Sequence, residues 1–93
     1  MRVGTLIVDL RINQARSLKE KRSVIRRLLE SARQKFNVSG AEVGRLDSWQ
    51  HATLGFAVVA NDGRHCNRVL DSLLDHLESQ GLAEVGEVEM EVL

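Results

Sequence analysis

Apolar and polar positions alternate along residues 2–12, where Leu6, Val8, Leu10 and Ile12 form one face and Val3, Thr5 and Ile7 keep the other semi-apolar. A strand apolar on much of both faces belongs in the middle of its sheet. Over residues 17–36 the period changes. Leu18, Val24, Ile25, Leu28, Leu29, Ala32 and Phe36 fall in one arc when wound at about 100° per residue, as a core-facing helix requires. Ser17, followed three residues later by Glu20, has the spacing of a capping box. Val38, Ala41, Val43 and Leu46 then alternate imperfectly around Gly40 and Gly44, which predicts an edge strand bulged at Gly40. Residues 47–50 read as a turn, and 51–60 as a more buried strand carrying Leu54, Phe56 and Val58, so the two strands form a hairpin. Asn61-Asp62-Gly63 stops that strand and offers a cap. From 64 to 80, Cys66, Val69, Leu70, Leu73, Leu74 and Leu77 share one arc of a second helix, which Gly81 ends. Residues 87–92 alternate strictly, with glutamates on the wet side suited to a sheet edge.

The order strand, helix, strand, strand, helix, strand is the βαββαβ plan of an α+β, ferredoxin-like sandwich. It places two helices on one face of a four-stranded antiparallel sheet. Ninety-three residues suffice for one such domain, spanning 1–93. Its uncovered face would show Val3, Thr5 and Ile7 beside Thr53, Gly55, Ala57 and Val59. This smooth, partly apolar surface suits a homodimer or a docked partner. It has none of the strand aromatics on which RNA-recognition domains stack bases.

Charge changes the picture more than composition does. The formal net charge is zero, yet residues 1–36 hold ten basic against three acidic side chains, and residues 60–93 hold two against eight. Along the first helix, Arg22, Arg26 and Arg33 make a stripe that Lys19 extends toward the helix start, with Arg16 just before it. Such a stripe attracts phosphates. Lys21 lies on the apolar side, and two expectations attach to it: a stem laid along the core edge with its ammonium in water, or an ammonium aimed at a bound anion.

Chemistry is otherwise sparse. Lone Cys66 excludes an intrachain disulfide and a multi-cysteine zinc site, and His51, His65 and His76 have no metal-ligand spacing. No nucleophile elbow or phosphate-binding glycine loop is present. No catalytic residue, metal or cofactor is expected. The loop Asn13-Gln14-Ala15-Arg16 lacks the glycines of an acylphosphatase cradle, although Arg16 and Lys21 could meet an anion at the helix start. No apolar run approaches a membrane span and no secretory leader opens the chain, so a cytoplasmic protein without membrane contact is expected.

Ser17-Leu18-Lys19-Glu20-Lys21-Arg22, Phe36-Asn37-Val38-Ser39 with Ala41-Glu42-Val43, Asp47, Trp49-Gln50, Leu54-Gly55 and Val58-Val59 together resemble the YlxP-like family of bacterial proteins of unknown function. The resemblance runs over nearly the whole chain. It implies a ferredoxin-like fold and, because family genes often lie beside those for a translation initiation factor and a ribosome-binding factor, a role near the ribosome or its RNA. It transfers no catalytic residue. Lys19, Lys21 and Arg22 are the matched residues suited to anion contact, while Asp47 and Trp49 are expected to fix the hairpin turn. Gly40 stands where the family usually has an apolar residue, which implies a looser second strand here.

The function expected from these readings is a small binding module contacting RNA or ribosomal particles through Lys19, Lys21, Arg22, Arg26, Arg33 and Arg16. The alternatives are a protein-interaction or homodimer module using the open sheet face and, third, a small-anion enzyme.

Overall fold

The computed structural model describes residues 1–93. Its elements are β1 (Arg2–Arg11), α1 (Leu18–Lys35), β2 (Ser39–Gly44), β3 (His51–Ala60), α2 (Gly63–Ser79) and β4 (Glu84–Val92). The sheet runs β2-β3-β1-β4 with every neighbouring pair antiparallel. The two strands most apolar in sequence are therefore the two central ones. One face of each central strand is sealed: Leu6, Val8 and Leu10 from β1 and Ala52, Leu54, Phe56 and Val58 from β3 join Ile25, Leu28 and Ala32 of α1 and Cys66, Leu70, Leu73 and Leu77 of α2 in a single core.

Both helix starts follow their local chemistry. Ser17 accepts the Glu20 N–H at 3.1 Å, while the Glu20 carboxylate accepts the Arg16 N–H at 2.9 Å, so the box reaches back one residue further than its usual form. Asp62 caps α2 by accepting the Arg64 N–H at 2.9 Å. Each such cap contributes about 1 kcal/mol. Gly81, at φ +68°, takes the left-handed position after α2.

Three expectations need correction. β4 begins at Glu84 rather than 87, because a register shift opposite Asp9 lets the strand resume pairing with Leu10 and Arg11. The irregularity of β2 lies between Glu42 and Gly44, not at Gly40. Gly40 is not loose either. A Cβ there would lie 2.6 Å from the Phe56 ring and 3.3 Å from Leu29, so the missing side chain lets Phe56 fill the space under α1. The sequence pattern weakened at Gly40 because an aromatic ring from the next strand does the packing.

Candidate nucleic-acid interface

The outer face of α1 forms from the same winding that buries its inner face. Lys19, Arg22, Arg26, Arg27 and Arg33 are exposed along it, and Arg16 is exposed in the loop before it. Arg33 donates to the Gly40 carbonyl at 2.6 Å, which locates the stripe over the β2 edge of the sheet, on the side of α1 away from α2. A guanidinium has five donors, so this bond leaves most of Arg33 available. The side chains of Lys19, Arg22, Arg26 and Arg27 meet no acid: the only ion pair in the molecule joins Lys21 to Glu42. The structure thus brings together five of the six residues named from sequence on or beside one helix face.

Lys21 is the exception, and it leaves the anion-contacting set. Its side chain is 0 % exposed. Its ammonium donates to the carbonyls of Arg45 at 2.9 Å and His51 at 3.0 Å, with the Leu46 carbonyl at 3.5 Å. Glu42 Oε2 lies 2.9 Å away, off the line of a good hydrogen bond and with no other donor, so that contact is mainly electrostatic. An ammonium has three protons: the Arg45 and His51 carbonyls take two, the Leu46 carbonyl a third at longer range, and the Glu42 carboxylate balances the charge. Neither sequence expectation survives, because Lys21 faces the protein's own carbonyls and the Glu42 carboxylate, not water or a bound anion. The small-anion reading loses its lysine for the same reason.

What Lys21 does is fasten the β2–β3 hairpin to α1. The turn's strained residue is Arg45, at φ +57°, a backbone region that favours glycine. Its carbonyl is one of the oxygens that Lys21 holds. Ser48 closes the turn: its N–H reaches the Arg45 carbonyl at 3.1 Å and its hydroxyl accepts the His51 N–H at 3.1 Å. Gln50 ties the other flank, donating to the carbonyls of Asn13 at 3.1 Å and Ala15 at 3.3 Å, while its own carbonyl accepts the Ile12 N–H at 2.7 Å. Asp47 and Trp49, expected to fix this turn, are both exposed. Ser48 and Gln50 take that role, while Asp47 and Trp49 are left exposed to water.

The open face of the sheet keeps the character expected of it. Ile7 is 42 % and Val59 58 % exposed, and small residues between Ile7 and Val43 leave a shallow apolar concavity of about 490 Å³. At its other end the face turns charged, with Arg11, Arg45 and His51 opposite Asp9, Glu84 and Glu87 around a second concavity of about 420 Å³. No helix is long and apolar enough to cross a membrane.

A two-layer βαββαβ sandwich with a basic helix over one sheet edge defines a ferredoxin-like α+β protein. The same architecture recurs in the designed protein Foldit4 (TM-score 0.57, 18 % identity, 98 % of this chain and 97 % of that one). It recurs in the designed ferredoxin-fold protein LFR1 1 (TM-score 0.57, 12 % identity, 99 % and 84 % covered). The cofactor-independent oxygenase SnoaB of Streptomyces nogalater is also similar (TM-score 0.56, 15 % identity, 98 % and 90 % covered). At these identities the likeness concerns fold alone. By sequence, the chain belongs to the family described as "Protein of unknown function (DUF503)", whose model matches residues 3–90. It is 40 % identical over 77 residues to "Uncharacterized protein YlxP" of Bacillus subtilis (strain 168), covering 83 % of this chain and 84 % of that one.

Proposed function

We propose that this protein is an RNA-binding module that grips phosphates with the outer face of α1. The observation that carries the reading is the group Lys19, Arg22, Arg26 and Arg27, exposed together with no acidic partner while the one ion pair lies buried beneath them. Clustered cations on one rigid helix gain by releasing the counterions of a polyanion. Because the open face offers no aromatic strand residues, these contacts read backbone and shape. The neighbourhood implied by the family resemblance makes ribosomal RNA and isolated ribosomal subunits the first RNAs to try.

Binding should weaken steeply with salt, and the variant with Arg22, Arg26 and Arg33 all changed to Glu should lose it while remaining folded. Each phosphate contact removed lowers the slope of log affinity against log salt by about 0.7–0.9. Affinity indifferent to salt would reject the reading.

The open sheet face supports a second reading, association with another copy of this chain. Charge selects the arrangement. A two-fold axis parallel to the strands lays the apolar ends of β1 and β3 on their copies, keeps Glu89 and Glu91 of β4 at the edge of that contact, and sets Arg45 over the partner's Glu84 and Glu87. A perpendicular axis would bury the charged end against the apolar one. Sedimentation should then show a concentration-dependent dimer that Ala57→Glu abolishes. A wild type that stays monomeric at high concentration removes this reading.

A further inference from the structure

We infer that Trp49 is a stacking platform for one unpaired base of a single-stranded RNA whose phosphates lie on α1. The inference rests on the phosphate-binding reading above and supplies what that reading lacks, a contact with the base itself.

Trp49 is the chain's single tryptophan, and there is no tyrosine. It is 56 % exposed, on a loop where the turn is closed by Ser48 rather than by the indole. Its ring packs on no other aromatic ring; the one aromatic pair in the molecule is Phe36 with His76. A large apolar ring held in water without a role in the turn is available for a ligand.

Its loop is also fastened. Lys21 holds the carbonyls of Arg45 and His51 on either side of it, and Gln50, the next residue, is bonded to Asn13 and Ala15. A platform fixed before binding loses little freedom when a base settles on it. Those same bonds dock the loop against the segment leading into α1, where exposed Arg16, Lys19 and Arg22 begin the basic stripe. An aromatic face next to a track of cations is the pairing that single-stranded nucleic acid uses, with backbone on the charges and a base on the ring. A duplex keeps its bases stacked on each other and cannot offer one.

With no other tryptophan or tyrosine, fluorescence of the wild-type protein reports on Trp49 alone. The probe is a single-stranded oligoadenylate of about twelve nucleotides, compared with an RNA duplex of equal length. The expected result is quenching by the single strand and little by the duplex, with Trp49→Ala weakening single-strand affinity roughly 5- to 100-fold. The salt slope of that variant should match wild type, since stacking releases no counterions, and Trp49→Phe should restore most of the loss. Salt-dependent binding without quenching, and equal for wild type and Trp49→Ala, would overturn the platform and leave the phosphate reading standing. Absence of RNA binding at low salt would overturn both. A protein partner lost from Trp49→Ala while RNA affinity is unchanged would reassign the ring to a protein interface.

Discussion

The two helices cover the same sheet face with different materials. The inner arc of α2 is wholly apolar, Cys66, Leu70, Leu73 and Leu77, all at most 1 % exposed. The inner arc of α1 sets Lys21 among Ile25, Leu28 and Ala32, equally buried. The difference comes from what each helix lies upon. α2 rests on strands whose carbonyls are spent within the sheet. The first turns of α1 rest on the end of the β2–β3 hairpin, where the turn leaves the carbonyls of Arg45, Leu46 and His51 facing inward. A leucine there would strand the Leu46 and His51 carbonyls and leave that of Arg45 with the Ser48 N–H alone, and a buried acceptor without a donor costs more than the apolar contact returns. Lysine spans the distance with an apolar stem and ends in three donors. One helix start thus acts as a polar clamp, and its outer face, one residue on at Arg22, meets water.

Removing the clamp is the largest test of this contrast. Lys21→Met keeps the stem and deletes the ammonium, leaving the buried Glu42 Oε2 and the Leu46 and His51 carbonyls without their donor, while the Arg45 carbonyl keeps only the Ser48 N–H. Unfolding free energy from urea titration should fall by about 3–5 kcal/mol, the cost of orphaning one partner of a buried pair. Leu73→Ala, at the matching depth under α2, should cost a similar 2–5 kcal/mol by leaving a cavity. The two losses then separate by partner deletion. Glu42→Gln leaves the ammonium its carbonyls but not its counter-charge and should cost less, about 1–3 kcal/mol. Adding it to Lys21→Met should recover only part of the loss, since the Leu46 and His51 carbonyls stay unanswered. Full recovery in the double variant would show that Lys21 serves the carboxylate and not the turn.

The sequence carried the outline of this contrast and missed its cause. Winding alone put Lys21 on the apolar side of α1, but lysine is so rarely buried that water or a ligand was the expected destination. The carbonyls that change the answer lie at least 24 residues away in the chain and converge only after the hairpin folds back. Gly40 failed in the same way, because its reason is the ring of Phe56 across the strand pair. Where a signal was local it held. The period of both helices, the caps at Ser17 and Asp62, the left-handed Gly81 and the exposed arginine stripe all depend on neighbours within a turn or two. Trp49 lay between these cases. Its presence in a turn was legible, and its exposure was not.

The smallest test lies where the two helices meet. His76 of α2 sits against α1, its ring edge-on to Phe36 at 5.7 Å between centroids. Its Nε2 is 2.7 Å from the Ser31 hydroxyl and 2.7 Å from Gln80 Nε2. An amide nitrogen can only donate, so Nε2 must accept, and the proton of the neutral ring is assigned to Nδ1. Protonating Nε2 would turn two donors toward each other. Burial, and then the positive charge of Lys35, lower the His76 pKa below its usual 6.5. The unfolded chain therefore takes up this proton at a higher pH than the folded one. Stability from this residue is complete above about pH 6.5 and is lost as pH falls through the folded value. Urea midpoints measured from about pH 7.5 down to 5 should decline in wild type more than in His76→Gln, which has no proton to gain. The effect should be well below that of Lys21→Met, since His76 keeps part of its surface in water. Parallel pH curves for the two proteins would mean that the ring accepts its proton in place, and that the helix–helix seam is as tolerant of charge as the base of α1.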